Sequence, residues 1–163
     1  MASDKTLNLA TAIYPLPVRI EDLTTEWLNA ALNSWNPGVR LRDSEILDIN
    51  HGTCTKIRVR LDMDDAGRAV GIPERVILKG GFEAHSRAMH SMHGEEVHAY
   101  ADVAPHSPLR SPRCWFAGYD PQALQGIVIM EDLVARGVEF PGVTVSGEAL
   151  LYVADLTAPA TPT

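Results

Sequence analysis

The sequence predicts an α+β fold: an antiparallel, five-stranded sheet with one helix packed on it and a short helix on its N-terminal side. Three observations point there. Ile57, Val59, Leu61 and Met63 alternate with Arg58, Arg60 and Asp62, the period of a half-buried strand. The short apolar runs "RVILK", "PRCWFAGYD" and "GIVIMEDL" are bounded by turn-forming residues, as strands are. From Arg87 to about Ala104, apolar side chains recur at intervals of three and four, the period of a helix.

Along the chain, Thr24 or Thr25 offers an N-cap to "EWLNAALNSW", whose Trp27, Leu28, Ala31, Leu32 and Trp35 share a helical face; Pro37-Gly38 ends it. Its tryptophans are expected in the core. "VRLRDSEILDIN" and "IRVRLDM" then form an antiparallel hairpin around "HGTCTK", "DDAG" turns the chain, and "RVILK" makes the third strand. In the helix that follows, Gly94 is expected as a break and either Met92 or His93 as a buried position. Two last strands are joined by "DPQALQ". After Phe140 an Ala-, Pro- and Thr-rich tail is expected to be disordered.

At 163 residues the chain suits one domain, and 45% apolar with 21% charged residues is a globular composition. A net charge of −7 argues against a general nucleic-acid binder, which needs a basic face. No run approaches the roughly 18 apolar residues of a membrane span, and the N-terminus lacks the pattern of a signal peptide, so a cytoplasmic location is expected. Cys54 and Cys114 are read as free thiols.

The chemistry lies in "ERVILKGGFEAH". Val76, Ile77 and Leu78 run into Lys79, and an ammonium at the end of a core strand is costly unless an anion meets it. Glu96, at the edge of the buried face of the next helix, is the expected partner; Glu95 points further round. A lysine held in this way can act as a point charge on phosphate oxygens. Gly52, Thr53 and Thr55 in the first hairpin turn are possible donors to an anion.

The ordered combination of "LTTEWLNAAL", "EILDINHGTCTKIRVRL", "VILKGGF", "EEVHAYADVAP", "SPRCWFAGYD" and "IVIMEDL" resembles the N-terminal lobe of the aminoglycoside phosphotransferase-like kinases, small-molecule kinases related to choline kinases. The resemblance spans residues 22–140, with 1–21 as an N-terminal extension and 141–163 as a divergent tail. It implies ATP with magnesium as cofactor, Lys79 on the nucleotide's phosphates and Glu96 as its ion-pair partner. It further places Gly52, Thr53, Cys54 and Thr55 over the phosphates, and Met130, Glu131, Asp132 and Leu133 beside the adenine, recognised through their backbone. Ile77, Ile46 and Met130 become candidate apolar walls of that slot by strand position.

The family's second lobe, with its catalytic aspartate and metal ligands, has no counterpart after Phe140, and "HGE" at 93–95 precedes the hinge and is rejected as a catalytic loop. No catalytic or metal-binding residue is therefore assigned. The expected function is a kinase-like nucleotide-binding lobe, unable to transfer phosphate by itself, in a truncated or frameshifted product or a lobe put to another use. The alternative is a non-catalytic interaction module, a homo-oligomer or a complex with a separately encoded partner, formed through the sheet face left bare by the missing lobe. A hydrolase is a weaker alternative, with Ser146 the serine to test. His85, His90, His93 and His98 tempt a metal reading, but no HExxH pattern occurs and a solvated helix face is expected.

Overall fold

The structure, a computed structural model, describes residues 12–139. The tail after Phe140 and Ser146 lie outside the described residues, as do the first eleven positions. The described chain is α+β, with helices α1 (Thr25–Trp35), α2 (Asp65–Ala69) and α3 (His90–His98) and strands β1 (Leu41–Asn50), β2 (Thr55–Met63), β3 (Arg75–Gly80), β4 (Cys114–Asp120) and β5 (Gln125–Glu131). The strands form a five-stranded sheet in the order β1-β2-β3-β5-β4, and every pairing is antiparallel.

Local signals set the element ends. Thr24 caps α1 by accepting from the Trp27 N–H at 3.2 Å, and the chain turns away at Gly38, whose φ of +98° suits glycine. "DDAG", expected as a plain turn, is instead the start of α2, because the Asp64 carboxylate accepts from the Gly67 N–H at 2.8 Å. Gly94 does not break α3. The helix runs through it, and its missing side chain lets the ring of Tyr119 approach, with 3.4 Å between that ring and where a Cβ would stand. A π-helical turn, Ala99–Val103, follows α3.

The alternation in β2 sorts the two faces of the sheet. Ile57, Val59, Leu61 and Met63 are buried on one face together with Val76, Leu78, Ile127 and Ile129. Helix α1 covers that face, touching both edge strands β1 and β4. Trp27 is buried edge-on to Phe116, whereas Trp35, expected in the core, keeps 42% of its surface exposed. Part of the segment set apart in the sequence as an extension belongs to this core: Ile13 and Leu16 are buried, Leu16 N–H donates to Asp120 Oδ2 at 3.0 Å, and Gln125 Nε2 donates to the Pro17 carbonyl at 2.8 Å.

On the opposite face α3 packs on β5 and β4, and Val97 closes a second cluster with Ala117, Val128 and Met130, joined by Ile77 and Tyr100. The helix covers only that half. The β1–β2 half of the same face carries Lys56, Arg58 and Arg60, so it is charged where a bare apolar surface was expected. Edge strand β1 bears Arg42, Asp43, Glu45 and Asp48, charges of the kind that discourage pairing with another sheet.

Candidate functional site

Lys79 points from β3 onto the face shared with α3 because Val76 and Leu78 take the opposite face. Glu96 reaches it from α3, three residues beyond the buried His93, and the two side chains form an ion pair. Both remain about a quarter to a fifth exposed, at 20% for Lys79 and 25% for Glu96, so the ammonium is held without being sealed away. They line a cavity of about 310 Å³ whose other walls are Asn50, Gly52, Thr53, Cys54 and Lys56 from the hairpin, and Met89, Met92 and His93 from α3 and the turn before it.

The β1–β2 loop is clasped to the chain that leaves β3. Glu83 Oε1 accepts from the Thr55 hydroxyl at 2.7 Å and lies 2.7 Å from His51 Nδ1; these two contacts hold the Glu83 carboxyl below its ordinary range. His85 Nε2 stands 3.4 Å from the Thr53 carbonyl. Cys54 Sγ donates to the Gly80 carbonyl at 3.5 Å, and its thiol is pushed up by burial, against which Lys79 works in the lowering direction.

Of the residues singled out in the sequence, Gly52, Thr53, Cys54, Lys79 and Glu96 converge on this cavity. Thr55 is fully buried and spends its hydroxyl on Glu83. Met130, Glu131, Asp132 and Leu133 do not line it. Met130 is buried in the second cluster, where its sulfur accepts from the Tyr100 hydroxyl at 3.6 Å; Ile77 packs there too, while Ile46 is 38% exposed on β1. The side chains at the end of β5 and just after it are engaged rather than idle. Asp132 is buried and accepts from Arg58 Nε at 2.8 Å, and Arg58 reaches Asp48 of β1 with its other end; Glu131 pairs with Arg136 at 3.0 Å.

The histidines also separate. His98 pairs with Asp102 on the exposed side of the helix, as a solvated face predicts. His90 stacks on Tyr119 and lies 2.8 Å from its hydroxyl. His93, in contrast, is buried; its Nε2 has no hydrogen-bond partner among the described residues, and burial lowers its pKa. No group of three or more His, Cys, Asp or Glu among the described residues is placed to hold a metal, and no described helix is long and apolar enough to cross a membrane.

A second cavity, of about 590 Å³, opens at the far end of the hairpin between Asp43, Glu45, Arg60, Asp62, Arg68 and Glu74. Carboxylates outnumber arginines on its walls; Arg60 pairs with Glu45 inside it, while Arg68 pairs with Asp65 outside it. Comparison of the chain with protein-family models, with curated proteins and with solved structures returned no match, so the Lys79 cavity is read from its own chemistry.

Proposed function

We propose that the chain is a kinase-like nucleotide-binding lobe that holds the phosphates of ATP between Lys79 and the β1–β2 loop and does not transfer phosphate by itself. The observation that carries this reading is the Lys79–Glu96 ion pair at the wall of a cavity whose facing wall is Gly52, Thr53 and Cys54. An ammonium oriented by a carboxylate, yet open to a cavity, suits a point-charge contact to phosphate oxygens. Magnesium enters this reading with the nucleotide.

Calorimetric titration of the purified chain with ATP and magnesium tests it, with Lys79→Met run beside the wild type. Saturable binding weakened at least about tenfold in the variant, near 1.4 kcal/mol, is the expected result, with the melting temperature nearly unchanged. No heat at millimolar nucleotide, with a lower melting temperature in the variant, would reduce the pair to a structural one.

The non-catalytic interaction module is the second reading, favoured by the exposure of Met92, Val103, Leu109 and Val134. It predicts a homo-oligomer or a complex with a separately encoded protein. Light scattering that finds a monomer at high concentration would remove the homo-oligomer.

A further inference from the structure

In the register of β2 against β3, Lys56 stands directly opposite Lys79. Residues opposed in this way project to the same face with Cβ atoms about 5 Å apart, and like charges so placed repel. Glu96 answers Lys79. Nothing answers Lys56: its neighbour across β1 is the neutral Asn50, the nearby Asp48 is taken by Arg58, and no ion pair to Lys56 forms among the described residues. Elsewhere on this hairpin the arginines are neutralised, Arg42 by Asp62, Arg58 by Asp48 and Asp132, and Arg60 by Glu45. The unanswered lysine is the one that lines the cavity.

We infer that Lys56 is the second cation of this site, so that Lys56 and Lys79 together grip a di- or triphosphate group across the β2–β3 pairing. The inference rests on the phosphate-binding reading above, in which only Lys79 and the loop hold the anion. A single phosphate would leave much of a 310 Å³ cavity empty. Two ammoniums on adjacent strands, with one carboxylate between them and the helix, instead suit an anion whose charge is spread over successive phosphoryl groups. A bound anion would also relieve the repulsion between Lys56 and Lys79, so binding and stability are coupled at Lys56.

The test is titration of the full chain with inorganic pyrophosphate, tripolyphosphate, ATP and adenosine in buffer containing EDTA, so that only the protein's own cations hold the anion. Wild type, Lys56→Gln, Lys56→Arg and Lys79→Met are compared. The expected result is binding of tripolyphosphate and ATP but not adenosine, weakened about tenfold or more by Lys56→Gln and largely restored by Lys56→Arg. The ligand-free Lys56→Gln protein should melt slightly above wild type, since one of two opposed like charges is gone, and should gain less from added tripolyphosphate. Equal tripolyphosphate affinities for wild type and Lys56→Gln would overturn the inference; if Lys79→Met alone lost ATP, the nucleotide-binding reading would survive it. Absence of binding to every anion, with ATP and magnesium also silent, would overturn both.

Discussion

The imidazole of His93 lies against the backbone of Gly81, so close that a methyl group there would stand 2.8 Å from Nε2. Gly126, in β5, makes the same allowance under the main chain of α3, where an added Cβ would stand 2.8 Å from the His93 carbonyl oxygen. The helix that delivers Glu96 therefore rests on two glycines, which set its distance from the sheet.

Gly126→Ala should lower stability by about 1–3 kcal/mol, because the obstacle is backbone and the helix has to move as a body. Urea unfolding should show an earlier midpoint with an unchanged slope. The same displacement should draw Glu96 from Lys79 and weaken ATP binding. An unchanged midpoint would mean that α3 does not sit this close to β5.

His93 should make the protein sensitive to mild acid. Burial lowers its pKa in the folded state; Glu96 opposes this, while Lys79, His85 and His90 add to it. The unfolded chain, with an ordinary histidine near 6.5, takes up the proton first. Its contribution to stability is therefore complete above about pH 6.5 and is lost as pH falls from there through the lower folded value. Melting followed between pH 8 and 5 should show this decline, and His93→Leu should flatten it. An identical slope in the variant would assign the effect to another group.

Asp132→Ala should destabilise more than a change in an exposed carboxylate, by about 1.5–3 kcal/mol, since it strands the guanidinium of Arg58 and removes a charged hydrogen bond. Asp132→Asn, which keeps an acceptor, should recover part of the loss. A thermal shift within error of wild type for Asp132→Ala would show that Arg58 finds Asp48 sufficient.

Neither cysteine should behave as a reactive thiol. Burial raises Cys114 to about 11, and raises Cys54 as well. At pH 8 the folded protein should react slowly with a thiolate-directed reagent and both residues should react promptly in denaturant. Saturating ATP should slow Cys54 further, because that residue lines the cavity. Rapid modification of Cys114 in the folded state would contradict its burial.

How far the sequence announced this arrangement depends on the range of each interaction. The β2 alternation, the capped α1 and the Lys79–Glu96 pair follow from patterns that are short or that repeat, and each was readable. The opposition of Lys56 to Lys79 was not, because α2 and the chain around it intervene between β2 and β3, and register depends on how that connection folds. His93 and Met92 are adjacent, and which of them is buried was settled by Gly81, just past the end of β3, and by Gly126 in β5. The burial of Asp132 depended on Arg58, whose alternation with apolar residues only marked it as facing away from the core beneath α1.

Arg58 has a mechanical consequence. It ties Asp48 of β1 to Asp132 beyond the end of β5, spanning the sheet like a strut, while the loop at Gly52–Cys54 lies about five residues further along the hairpin. At roughly 3.3 Å per residue that is a lever arm of about 17 Å. A tilt of about 10° around the strut would move the loop tip by about 3 Å, the length of one hydrogen bond. A load applied at Asp132 would therefore reach the hairpin that carries Gly52–Cys54 through a single guanidinium.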